Sequence, residues 1–193
     1  MAAGETAMLV DVVRRRFTVE EFWRMAEAGL FLERPRVELV DGEIIDMTPI
    51  GRRHALCVAF LNEWLVSRLA GRALLLPQVS LRLGPRTECQ PDLLLVRAPR
   101  AAYRDAGPAP SDVLFLVEVA DTSLAYDRQV KLPIYAGAGV PEVWIVDVVS
   151  ETVETHREPA RDRYREVQRL ARGASVAPAA FPDLALPVDE LFG

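Results

Sequence analysis

Three acidic residues and one lysine carry the chemistry this sequence can offer. Asp92 follows Pro91 and opens the apolar run Leu93 to Val96. Glu118 interrupts the apolar run Val113 to Val119, which reads as a buried strand. Glu38 sits in Val37-Glu-Leu-Val40, just before an Asp41-Gly42 turn. Burying an ionised carboxylate is costly unless a cation or hydrogen bonds compensate it. Two or three such acids from separate segments therefore ask for a bound metal. Without a histidine pair or zinc-type cysteine spacing, Mg²⁺ is the natural ion and Mn²⁺ its substitute. Lys131 is the only lysine; the other 22 of the 23 basic residues are arginine. Its ammonium is a compact point charge with a shiftable pKa, able to hold or deprotonate a water, and a guanidinium cannot do the second.

Each of these residues also has a plainer reading. Glu118 could pair with an arginine in the core. Lys131 stands four residues after Asp127, the spacing of an ordinary ion pair on a helix surface. Glu38 could be a solvated hairpin residue. His54 falls on the inward side of a helix's first turn, where histidine is more often a hydrogen-bonded core residue than a catalytic one. A Pro-Asp pair alone says little, since Pro182-Asp183 is a second one without a following strand.

The elements that must position these groups are legible in outline. Thr18-Val-Glu-Glu21 is a capping box that opens a first helix ending at Gly29. Asp41-Gly42 between Val37–Val40 and Glu43–Met47 predicts a type I′ hairpin. Period two puts Glu38 and Val40 on one face, with Val37 and Leu39 on the other. Gly51 to Ala70 reads as the longest helix, with Leu56, Phe60 and Trp64 on one line and Val58, Leu61, Leu65 and Leu69 beside it. Ala73 to Leu83 reads as a strand kinked at Pro77, and with Pro91–Val96 and Val113–Val119 it suggests an antiparallel meander. Thr122 to Ala138 reads as a helix that Pro133 must kink or divide. Val143–Val148 follows as a strand, so the crossover unit should place it parallel to another strand. Thr152–Glu158 and Tyr164–Leu170 read as a closing hairpin, and the tail from Phe181 to Phe192 as apolar packing.

The chain has 193 residues, half of them hydrophobic, which suits one domain over residues 17 to 193 after an N-terminal arm of residues 1 to 16. The net charge of -5 argues against a general positive field for coating nucleic acid. Contacts of that kind would have to be local, at clusters such as Arg14 to Arg16, Arg34 with Arg36, Arg52 with Arg53, or Arg161, Arg163 and Arg165. Cys57 and Cys89 are too few for a disulfide framework and read as core residues. No apolar run approaches the ~18 residues a membrane span needs, so the expected location is the cytoplasm.

Pro91-Asp92 followed by Glu118-Val119-Ala120 resembles the PD-(D/E)XK signature of restriction-endonuclease-like proteins. The surrounding text is similar to the Uma-type family of that superfamily, a domain of unknown function. The matching phrases are Glu38-Leu-Val-Asp-Gly-Glu43, His54, Pro91-Asp92, Glu118-Val119, Asp127 with Lys131 and Tyr135, Gly139-Val-Pro-Glu-Val-Trp144 running to Asp147, and the tail from Phe181. The resemblance covers nearly the whole chain from Phe17 onward. It implies an α/β fold with a mixed sheet, a restriction-endonuclease-like core with flanking helices and added β-hairpins. It implies Mg²⁺-dependent hydrolysis of DNA phosphodiester bonds, with Asp92 and Glu118 as metal ligands and Glu38 completing or extending the cluster. Ala120 departs from the pattern, because the usual lysine is missing there, and the role moves to Lys131. His54 and Asp127 are secondary candidates. A homodimer is expected by analogy, since cutting both strands is convenient with two sites. The competing expectation is a degenerate member that binds nucleic acid or a protein partner without cutting.

Overall fold

The computed structural model describes residues 14–33, 36–104 and 106–193. Arg34, and the arm as far as residue 13, lie outside the described residues. Helix α1 (Val19–Glu27) starts where the capping box places it: the Glu21 amide donates to Thr18 Oγ1 at 3.2 Å and the Thr18 amide to Glu21 Oε2 at 3.0 Å. Strands β1 (Val37–Val40) and β2 (Glu43–Asp46) form the expected hairpin, with φ of 47° at Asp41 and 78° at Gly42. A side chain at position 42 would also collide with Arg16 Cβ, 2.6 Å from the Cβ it would carry, so only glycine fits both the turn and the neighbour.

Helix α2 (Arg52–Leu69) begins at Gly51 and ends at Ala70, which adopts the left-handed conformation before Gly71. Its buried line is His54, Cys57, Leu61, Trp64, Leu65 and Leu69. Leu56, expected inside, is 65% exposed. The apolar excess along this helix blurs its period, and the sheet takes the stripe that starts at His54.

The predicted strand from Ala73 to Leu83 is two strands in two sheets. Strand β3 (Ala73–Pro77) stops at Pro77, and Gln78 turns the chain with φ of 50°. Strand β4 (Leu81–Gly84) then pairs with β5 (Thr87–Cys89), and β5 with β1, giving a four-stranded sheet in the order β2-β1-β5-β4. Proline cannot donate to a ladder, so the chain leaves one sheet there and enters the other.

The main sheet adds β6 (Leu93–Arg97), β7 (Val113–Ala120), β8 (Glu142–Asp147), β9 (Thr152–Ala160) and β10 (Arg163–Leu170), in the order β10-β9-β8-β7-β6-β3. Only β7 and β8 run parallel, as the crossover requires; the other neighbours are antiparallel. One face of this sheet packs on α2 and the tail, through Leu61, Leu65, Phe115, Trp144, Phe181 and Leu186; the tail ends in β11 (Ser175–Val176) paired with β12 (Leu186–Pro187) and in helix α5 (Val188–Phe192). The other face carries Leu94, Leu116, Ile145 and the crossover helices.

The crossover holds the local feature on which the site depends. It comprises a turn of helix, α3 (Leu124–Tyr126), a π-helical stretch from Asp127 to Lys131, and α4 (Leu132–Gly137). The Leu132 amide donates to the Asp127 carbonyl, five residues back, so the widened turn falls directly before Pro133. Pro133 then lies in the first turn of α4, where its missing N–H is tolerated. Asp127, Lys131 and Tyr135, at intervals of four, are all buried on the side facing β7.

Candidate active site

Asp92 stands at the point where the chain enters β6. In the antiparallel register Leu93 is opposite Val117, so the residue before β6 comes alongside Glu118. Asp92 Oδ2 accepts hydrogen bonds from the Val119 amide at 2.9 Å and shares 3.0 Å with His54 Nε2. His54, on the first turn of α2, is the buried, hydrogen-bonded histidine expected there, and its partner is Asp92, whose carboxylate it helps to orient.

Glu118 shows the same division of labour between its two oxygens. Oε1 accepts from Lys131 Nζ at 3.0 Å and from the Tyr135 hydroxyl at 2.5 Å. Among the described residues no hydrogen bond falls on Oε2 of Glu118 or on Oδ1 of Asp92. Each acid is thus pinned through one oxygen and has the other to spare. Burial pushes the Glu118 carboxyl up to about 8, against the pull of the Lys131 charge.

Lys131 is 1% exposed, and its ammonium bridges two strands from different sheets. It lies 2.9 Å from Glu38 Oε1 and 3.0 Å from Glu118 Oε1. The helix-surface pair with Asp127 does not form; Asp127 instead accepts from Ser123 Oγ at 2.7 Å. Burial opposes the Lys131 charge, but Glu118 and Glu38 outweigh it and hold the ammonium protonated well above the ordinary lysine range. Burial likewise raises Asp127. Glu38 Oε1 also accepts the Gln90 amide at 2.7 Å, while its Oε2 is buried without a partner among the described residues.

These groups surround a cavity of about 190 Å³ whose walls include Arg36, His54, Asp92, Glu118, Asp121, Asp127 and Lys131. Glu38 is not in its wall and meets the site at the Lys131 ammonium. The wall carries four carboxylates, from Asp92, Glu118, Asp121 and Asp127, against two cations, Arg36 and Lys131. No three His, Cys, Asp or Glu side chains among the described residues converge to hold a metal unaided. The residues nevertheless fit Mg²⁺, which commonly keeps several waters and takes only one or two protein carboxylates. The two spare oxygens and the negative wall are the observations that favour such an ion.

The model of the Uma2 family, described as "Putative restriction endonuclease", matches residues 19–189. The chain belongs to this family. Among solved structures, one similar to this chain is the crystal structure of "a putative nuclease belonging to DUF820" from Anabaena variabilis ATCC 29413. It superposes with a TM-score of 0.71 at 18% identity, covering 91% of this chain and 97% of that one. At that identity the likeness establishes a shared fold, and it agrees with the mixed sheet and flanking helices expected from the sequence. No curated protein matches the chain.

The structure brings together Asp92, Glu118, Lys131, Glu38, His54 and Asp127, all of them buried. Tyr135 stands in the sequence only among the phrases that match the family, without a part in the site, yet its hydroxyl makes the shortest hydrogen bond to Glu118. The available signal was its spacing: Tyr135 is four residues after Lys131 and eight after Asp127. Arg36, which lines the cavity, belongs to one of the arginine clusters named for local nucleic-acid contacts; Asp121 lines it with no comparable signal.

Proposed function

We propose that this Uma2-family protein is a Mg²⁺-dependent endonuclease that hydrolyses phosphodiester bonds in DNA. The observation that carries this reading is the pair of spare oxygens, Oδ1 of Asp92 and Oε2 of Glu118, on acids fixed from behind at the wall of one cavity beside a buried ammonium. Bound there, a divalent cation would polarise a phosphoryl oxygen and acidify a water. The rest falls to the chain. Asp92 and Glu118 hold and orient the ion, and His54 and Tyr135 keep their carboxylates from turning. Lys131 has three N–H donors, two of them directed at Glu38 and Glu118, and the third is free to hold a water or an oxygen gaining charge. An ammonium kept protonated so firmly acts as a donor and not as a base, so the lysine's part is to position and stabilise.

The test is cleavage of single- and double-stranded DNA with Mg²⁺ or Mn²⁺, run beside Glu118→Gln and Lys131→Ala. Cleavage by the parent protein that falls at least ~100-fold in both variants supports the reading, the loss expected when an electrostatic stabiliser is removed. Equal rates in all three proteins place the activity elsewhere.

A further inference from the structure

We infer that Arg36 is the phosphate-binding residue of this site, the group that receives the backbone of the nucleic acid beside the scissile bond. The inference rests on the nuclease reading above and adds to it a specific contact. Arg36 precedes β1, is only partly exposed, and lines the cavity together with Asp92, Glu118 and Lys131. Its Nη1 donates to the Thr48 carbonyl at 3.1 Å, which anchors the side chain to the loop that leads into α2. Among the described residues no carboxylate lies within ion-pair distance of it. A guanidinium has five N–H donors arranged in a fork, so one bond to a carbonyl leaves most of the fork for a ligand.

Charge decides which ligand. Lys131 is already matched by Glu38 and Glu118, so Arg36 is the one cation of this wall, among the described residues, whose charge has no partner. Four carboxylates face two cations there, and a divalent ion would bring the wall close to neutral. Without Arg36 the wall would stay negative even with that ion bound, and each entering phosphodiester adds one more negative charge. Arg52 and Arg53, the neighbouring arginines at the start of α2, are exposed and are not in this wall. An unpaired, anchored guanidinium at the wall of this cavity has the chemistry to clamp a phosphate.

The experiment measures binding of end-labelled DNA by fluorescence anisotropy across a salt series. Ca²⁺ replaces Mg²⁺, gels verify that the DNA stays intact, and the proteins are the full chain, Arg36→Gln and Arg36→Lys. Glutamine can still donate to the Thr48 carbonyl, and lysine keeps the charge; thermal unfolding of each confirms folding. Arg36→Gln should weaken binding roughly tenfold, the worth of one charged hydrogen bond. It should also reduce the slope of log K against log salt by about 0.9 on duplex or about 0.7 on single strands, whatever the sequence. Arg36→Lys should keep the parent slope. An unchanged slope in Arg36→Gln while the parent protein binds would overturn the assignment of Arg36 and leave the nuclease reading standing. An equal loss of slope in both variants would assign Arg36 a structural role and overturn the inference as well. A parent protein that binds neither form of DNA would overturn the nuclease reading together with it.

Discussion

Replacing Lys131 with methionine isolates what the buried ammonium contributes. The substitution keeps most of the side-chain volume but leaves Glu38 and Glu118, 2% and 4% exposed, without their shared cation. Breaking a buried ion pair by removing one partner typically costs about 3–5 kcal/mol, because the remaining charge is stranded in low dielectric. Against a total stability on the order of 5–15 kcal/mol the loss is large but survivable. With a urea m-value of roughly 2 kcal/mol/M, the unfolding midpoint should drop by about 1.5–2.5 M. Tryptophan fluorescence follows the transition, since Trp144 is wholly buried in the core beside β7. EDTA in the buffer keeps metal from substituting for the missing charge. A cycle with Glu38→Gln separates charge from packing. Removing Glu38 should cost less in the Lys131→Met background than in the parent, with a coupling of roughly 1–3 kcal/mol. A midpoint shift below about 0.5 M, or strictly additive effects of the two substitutions, would refute the idea that this ion pair joins the two sheets.

Two further outcomes follow from individual contacts. Tyr135→Phe deletes the hydroxyl that donates to Glu118 Oε1 at 2.5 Å, and it should weaken Mn²⁺ binding at least tenfold by titration calorimetry, as loss of a ligand's outer partner commonly does; undiminished affinity would mean that the hydroxyl does not set the carboxylate. Asp147 closes β8 by accepting from the Val149 and Ser150 amides and the Ser150 hydroxyl; burial works against its charge, but these bonds and Arg128 prevail and hold its carboxyl below the ordinary value. A depressed folded pKa means that the unfolded chain binds more protons, so this stability is present above the unfolded value of ~3.9 and is lost as pH falls through the folded one. Asp147→Asn should therefore lower stability at pH 7 and flatten the acid limb of the stability curve below about pH 4, and an acid limb identical to the parent's would exclude this contribution.

How much of this could be read in the sequence depended on whether a signal was local. The Thr18–Glu21 capping box, the Asp41-Gly42 turn and the parallel pairing of β7 with β8 follow from a few adjacent residues or from a chirality rule, and each formed as expected. The failures were choices between competing tertiary partners. Leu56 and Cys57 are neighbours on one apolar helix, and only the sheet's position decides that Cys57 turns inward while Leu56 faces solvent. Ala73–Leu83 alternates well enough for one strand, yet β3 and β4 belong to different sheets, a division that depends on where β1 and β5 lie.

The site divides along the same line, and Lys131 shows why. An isolated lysine four residues after an aspartate permits a solvent-facing pair or an inward reach, and the spacing itself is silent between them. The π-helical turn before Pro133 decides: it sets Asp127, Lys131 and Tyr135 on the buried side, and Glu118 receives both the ammonium and the hydroxyl on one oxygen. Glu38 is the complementary case. Its alternation in β1 was plain, but its partner, Lys131, comes from a segment 93 residues later, and the pair sets Glu38 behind the cavity wall. A residue's type announced that a buried charge needed compensation, and the topology chose what would compensate it. The consequence reaches the proposed chemistry: with Glu38 committed to Lys131, Asp92 and Glu118 are the two anchored acids of the wall that each keep an oxygen without a hydrogen bond among the described residues, and the nuclease reading rests on that pair.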